Sequence, residues 1–209
     1  MKEFDIITEA DARVLEVGST VRLAPGGIVT PLARDTLKAR RVVVERDDGR
    51  DVDLERLAPP AKIGVAVIGA DHTGVGLKRT IVEALRREGL GVIDVGTNGT
   101  EAVDYPDIAA AVATAVARGE ADAGIVIDGA GIGSAMAANK IAGIRAAMCS
   151  NETLARYARE HNGANVLTLG ATLVGPDEAL AIVRTFFSSA IREARYLRRL
   201  AKIARLERR

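Results

Sequence analysis

Three groups of residues have types and spacing that could do chemistry. Asp128 opens the run Asp128-Gly129-Ala130-Gly131-Ile132-Gly133-Ser134, between a continuous apolar stretch and a helical one. A carboxylate at that place can act as a general base. Gly129, Gly131 and Gly133 let the backbone approach a ligand, and N–H groups at the helix start suit an anion or a developing oxyanion. His72 and His161 are the only histidines, each beside a polar residue as Asp71-His72 and His161-Asn162. Histidine suits proton transfer at a hydroxyl oxygen near neutral pH. Arg195 and Arg199 stand i, i+4 in a C-terminal segment that also carries Arg192, Arg198, Arg205, Arg208 and Arg209. Two guanidiniums on one helix face can clamp a phosphate.

Each group also fits a plainer role. Asp128 can cap the helix or brace the turn. The glycines can serve only a tight strand-to-helix connection, and G-x-G-x-G is not the dinucleotide-binding spacing. The histidines can be ordinary surface residues. The arginines can form a solvated basic face paired with Glu193 and Glu207.

The elements that must position these residues alternate strand and helix. Apolar runs predict strands over 63–68, 92–95, 124–127, 145–148 and 166–169. Helical periodicity fills 77–88, 108–117, 134–140, 154–161, 177–187 and 190–208. The expected architecture is α/β: a Rossmann-like parallel five-stranded sheet with helices on both faces. In such sheets ligands sit beyond the carboxyl ends of the strands, where Asp71-His72, the loop 97–106 and the Asp128 turn all fall.

Residues 1–58 read as a small α+β extension, and 62–209 as the main domain. Thr8 caps a short helix to Val17, Thr30-Pro31 starts a helix over 32–40, and a strand follows over 41–45. Asp47-Asp48-Gly49 reads as a hairpin turn into Val52. Leu57-Ala58-Pro59-Pro60-Ala61 reads as an extended linker.

Composition narrows the function classes. The formal net charge of the 209 residues is +1, so no overall field recruits nucleic acid or an anionic membrane. Aromatics are 3% with no Trp, which argues against base-stacking platforms. Cys149 is the only cysteine, which excludes an intrachain disulfide framework and a thiolate-rich metal site. No apolar run approaches the roughly 18 residues that span a bilayer. A signal-peptide core is also missing, so a cytoplasmic location is expected.

Seven stretches keep a common order: Gly69-Ala70-Asp71-His72-Thr73-Gly74, Asp104-Tyr105-Pro106, Gly129 to Ser134 with Ala138-Asn139-Lys140, Gly143-Ile144-Arg145, Glu160-His161-Asn162, Asn165-Val166-Leu167, and Arg195 with Arg199. Together they resemble the type B ribose-5-phosphate isomerase family, which includes the two subunits of galactose-6-phosphate isomerase. The resemblance implies a cofactor-free, metal-free aldose–ketose isomerase of a sugar phosphate. It implies that His161 with Asn162 opens the sugar ring, and that Asp71, His72 and Tyr105 contact the sugar and phosphate. Gly129, Ala130, Gly131, Gly133 and Ser134 would line the enediolate, and Arg195 and Arg199 would hold the phosphate. It further implies a homodimer or homotetramer with active sites at the subunit interface.

The pattern departs from the family at four positions. Asp128 stands where the family has a cysteine base, Ala130 where a threonine assists it, and Ile132 where some members carry a glutamate. Thr172 stands where a phosphate-binding arginine is common. The turn is closer to the A subunit of galactose-6-phosphate isomerase, which works with a cysteine-bearing partner. Two readings follow: an isomerase with Asp128 as base, or a subunit that needs such a partner. The segments Ile7 to Asp11 and Thr30 to Arg34 resemble stretches of bacterial microcompartment enzymes, such as ethanolamine-utilisation cobalamin adenosyltransferases. That resemblance implies packaging or assembly, with the shell as partner.

Overall fold

The computed structural model describes residues 2–46, 57–191 and 193–207. The chain divides into two compact units, Met1–Val52 and Asp53–Arg209.

The first unit runs β1 (Glu3–Ile7), α1 (Glu9–Val14), β2 (Thr20–Val29), α2 (Pro31–Ala39) and β3 (Val43–Arg46). Its three strands are parallel in the order β1-β2-β3. Thr8 caps α1 through a reciprocal pair with Asp11, each satisfying the other's backbone N–H. Ile7, Leu23, Ala33 and Leu37 meet in its core. Two strands here escape the sequence patterns. β1 is broken by a register shift between Phe4 and Ile6, and β2 contains Pro25-Gly26-Gly27, which reads as a turn. The helix expected to reach Val17 ends at Val14, because Leu15 is already extended. The predicted hairpin turn at Asp47-Asp48-Gly49 lies outside the described residues.

The second unit runs β4 (Val65–Ala70), α3 (Val75–Arg87), β5 (Gly91–Asp94), α4 (Tyr105–Ala117), β6 (Ala123–Asp128), α5 (Ile132–Ala138), β7 (Ala146–Met148), α6 (Glu152–Asn162), β8 (Val166–Gly170), α7 (Pro176–Ser188) and α8 (Ala194–Leu206). All five strands are parallel, in the order β5-β4-β6-β8-β7. Strand β6 is buried along its whole length, as an apolar strand covered on both faces must be. On one face Ile68, Ile125, Ile127, Leu167 and Leu169 pack with Ile81, Leu85 and Phe186. On the other, Val67, Val126 and Val166 pack with Ala109, Val112 and Ala138. Each such large side chain contributes about 1.5–3 kcal/mol by leaving water. The last helix begins at Ala194, not at Ala190, since α7 stops on the extended Ser189.

The segment expected as a linker is held by two arginines, Arg159 buried and Arg145 half-buried. Arg145 donates to the Leu57 carbonyl and Arg159 to the Pro60 carbonyl, both at 2.8 Å. Burial and the nearby Arg145 push the Arg159 guanidinium down to about 10.

Candidate active site

Strands β4 and β6 are neighbours in register, Ala70 opposite Ile127, so the residues that follow each strand emerge side by side. After β4 comes Asp71, buried, whose Oδ1 accepts from the Thr73 N–H at 2.8 Å and the Thr73 hydroxyl at 2.6 Å. This Asp-x-Thr lock turns the chain into α3. His72 follows, and its Nδ1 accepts the Val103 N–H at 3.4 Å. With Nδ1 as acceptor, the neutral ring carries its proton on Nε2, which leaves a donor for a ligand oxygen.

The last residue of β6 is Asp128, 4% exposed. Its Oδ1 accepts from the Ala130 N–H at 2.8 Å and from the Gly131 N–H; its Oδ2 accepts from the Ser134 N–H at 3.1 Å and from the Ser134 hydroxyl. Four donors fill the acceptor positions of a carboxylate. Asp128 therefore caps α5 and shapes the turn. The amides of Ala130 and Gly131, expected to face an enediolate, face this carboxylate instead. The N–H groups of Ile132 and Gly133, in the first turn of α5, have no intrahelical acceptor and remain for an oxyanion. Gly131 sits at φ 77, where a Cβ would also meet Leu169 at 2.9 Å, so only glycine fits.

Tyr105 is brought to the same place by α4. A Cβ added at Gly133 would lie 2.5 Å from the Tyr105 ring, so the ring rests directly on the turn. Thr172, after β8, donates its hydroxyl to the Gly129 carbonyl at 2.6 Å. It braces the turn and supplies no phosphate-binding cation.

One further residue escapes sequence reasoning. Lys78 is 2% exposed, and its Nζ donates to Asp94 Oδ1 (2.6 Å), the Gly96 carbonyl (3.0 Å) and Asn98 Oδ1 (2.8 Å). All three ammonium hydrogens are used, and they pin the loop that leads to Val103 and Tyr105. The only signal in sequence is a lysine on the apolar side of α3.

His161, Asn162, Arg195 and Arg199 form a second cluster elsewhere. His161 and Asn162 end α6, just before β8 begins, whereas Asp128 pairs with Gly170 where β8 ends. Five residues of strand separate the two levels by about 15 Å. The His161 ring stacks between Tyr157 and Tyr196, with centroids 4.7 and 4.6 Å away. Arg195 and Arg199 lie over the Tyr196 ring at 4.9 and 5.7 Å. Asn162 donates to the Tyr157 carbonyl, not to His161. A cavity of about 450 Å³ opens at this end, lined by Asn139, Arg145, Asn162, Ile203 and Leu206. The structure thus brings together Asp71, His72, Tyr105, Asp128 and the glycine turn at one end of the sheet. It places His161, Asn162, Arg195 and Arg199 together at the other.

The single thiol does not replace the family's base. Cys149 is 1% exposed, and burial pushes its pKa up to about 12. Among the described residues, no group of three or more His, Cys, Asp or Glu could hold a metal ion. No described helix is long and apolar enough to cross a membrane.

Ribose-5-phosphate isomerase B of Escherichia coli K12 is 45% identical over 141 residues, covering 68% of this chain and 95% of that protein. The structure of Clostridium thermocellum ribose-5-phosphate isomerase B superposes with a TM-score of 0.68 at 50% identity, covering 69% of this chain and 97% of that one. The Mycoplasma genitalium ribose-5-phosphate isomerase B structure, with bound ribulose 5-phosphate, gives 0.66 at 41% identity, covering 69% and 96%. Residues 66–203 match the Ribose/Galactose Isomerase family, and the chain belongs to it.

Proposed function

We propose that this chain interconverts an aldose phosphate and a ketose phosphate, with ribose 5-phosphate and ribulose 5-phosphate as the first pair to test. The reading is supported by one observation: the residues that the family resemblance assigns to a sugar-phosphate site lie in two clusters at opposite ends of one sheet. Two copies of the chain complete the site, one offering Asp71, His72, Tyr105 and the Asp128 turn, the other His161, Asn162, Arg195 and Arg199. A homodimer, or a tetramer built from it, follows.

In this site His161 takes the proton of the anomeric hydroxyl, the bond from C1 to the ring oxygen breaks, and the ring oxygen gains a proton. Asp128 then removes the C2 proton of the open aldehyde. Charge passes to O1, where the Ile132 and Gly133 amides receive it; the O2 proton then passes to O1, and Asp128 returns its proton to C1 as C2 becomes the carbonyl. For this the Ser134 hydroxyl rotates away and frees one lone pair of Oδ2. No metal or organic cofactor enters these steps. Purified protein alone should convert ribose 5-phosphate to ribulose 5-phosphate; no turnover across pentose, tetrose and hexose phosphates sinks the reading.

A second reading is favoured by the four donors already on Asp128 and by the buried thiol of Cys149. In it, the chain binds a sugar phosphate but turns it over only with a cysteine-bearing homologue. Activity that appears only on adding that homologue selects this reading. For residues 1–58 we propose a role in assembly or packaging, into a microcompartment where shell proteins are present. Their removal should leave turnover intact and abolish co-sedimentation with shell proteins.

A further inference from the structure

The two histidines are oriented by different means. His72 is fixed by a hydrogen bond to Nδ1. Among the described residues neither nitrogen of His161 has a hydrogen-bond partner; the ring is gripped by its faces instead. Tyr157, one turn earlier on α6, stacks at an interplanar angle of 17°, and Tyr196 of α8 stacks at 28°. Tyr196 is 7% exposed and Tyr157 43%, so one jaw is anchored in the protein and the other faces outward.

Stacking restrains both side-chain torsions of a histidine without occupying either nitrogen. That arrangement suits ring opening. One proton must leave the anomeric hydroxyl and one must reach the ring oxygen, so a nitrogen spent on a protein carbonyl is lost to the exchange. Tyr196 has a second link, since Arg195 and Arg199 lie over its ring and Arg195 donates to its hydroxyl at 3.0 Å. One ring therefore sets the spacing between the ring-opening group and the phosphate cations.

We infer that Tyr157 and Tyr196 are positioning residues for His161, holding its imidazole by its faces so that both nitrogens stay free to open the sugar ring. This rests on the ring-opening role proposed above for His161.

The test uses a chemical difference between the two sugars. Ribose 5-phosphate is a furanose and must be opened. Ribulose 5-phosphate is acyclic, because the oxygen that would close its furanose carries the phosphate. Full-length Tyr196→Leu and Tyr157→Leu are compared with Tyr196→Phe and Tyr157→Phe. Three readouts are taken: kcat and KM for ribose 5-phosphate, deuterium exchange from water into C1 of ribulose 5-phosphate, and the imidazole C–H signals in proton NMR. With two histidines in the chain, those signals can be assigned from a His72→Asn variant.

In the parent, His161 signals should lie upfield, shielded by both rings. Each Leu variant should move them downfield and lower kcat for ribose 5-phosphate about tenfold. C1 exchange should fall less than twofold, and each Phe variant should restore the parent values. A weakened phosphate grip would instead raise KM for both sugars and leave the ratio of the two rates unchanged. Equal losses in turnover and exchange, or unshifted His161 signals in the parent, overturn the proposal. A parent protein with neither turnover nor exchange removes the reading of the site itself, and this proposal with it.

Discussion

Ser134 binds the Asp128 carboxylate twice, through its backbone N–H and through its hydroxyl, and both donors reach the same oxygen, Oδ2. The hydroxyl is the only one of the four donors on Asp128 that can rotate away without moving backbone. If Asp128 is the base, Ser134→Ala should cost little turnover, because it frees the lone pair that must accept the proton. Asp128→Asn should abolish proton transfer, a loss of about 100-fold or more. It should also destabilise the fold by about 1–3 kcal/mol, since the new NH2 would face backbone donors. C1 exchange and urea midpoints measure the two effects separately. Asp128→Asn as active as the parent would rule out the carboxylate as base.

The separation of the two clusters by the length of β8 makes a sharper prediction. Under the proposed function, Asp128→Asn damages one half of each site and His161→Asn the other. If each site is shared between two copies, mixing the two inactive variants under conditions of subunit exchange gives half heterodimers. Each heterodimer has one intact site, so about a quarter of parent activity should return. A site contained in one chain would recover nothing.

The second unit was legible because its strands are apolar runs and its helices have apolar faces, and each of its five strands falls where a run predicted it. The first unit was less so. Pro25-Gly26-Gly27 carries turn chemistry, and it falls between Leu23 and Ile28 where β2 pairs in register with neither neighbour, as proline in a sheet requires. At the site, sequence named the residue types but not their neighbours. Asp128 satisfies both the base and the cap reading in sequence; the hydrogen bonds to Ala130, Gly131 and Ser134 appear only once the turn is folded. The division into two clusters is implied by chain order, since Asp128 ends a strand and His161 precedes one. It becomes visible only when the strands are known to be parallel and in register.

Lys78 shows how much of the site's support is hidden in a residue with no motif. Lys78→Met should leave the Asp94 carboxylate facing an apolar group and release Gly96 and Asn98. Breaking such a pair costs about 3 kcal/mol. The double variant Lys78→Met/Asp94→Leu should regain part of that loss, because no charge is then left unpaired. Urea midpoints of the three proteins check the order: parent most stable, double variant next, single variant least.

Cys149 supplies a prediction with a defined pH window. Its thiol has a pKa near 12 in the folded chain against an ordinary value of 9.0, because burial disfavours the thiolate. Below pH 9 the thiol keeps its proton whether the chain is folded or not, and its contribution to stability is complete. Between about 9 and 12 the unfolded chain loses the proton first, so unfolding is favoured as pH rises. Stability should therefore fall over this range more steeply in the parent than in Cys149→Ala, where the thiol is gone. The difference between their urea midpoints, measured at pH 8 and pH 10.5, should shrink at the higher pH. At pH 8 a disulfide reagent should label Cys149 only as fast as the chain unfolds, and rapid labelling of the native protein would contradict the buried, protonated thiol.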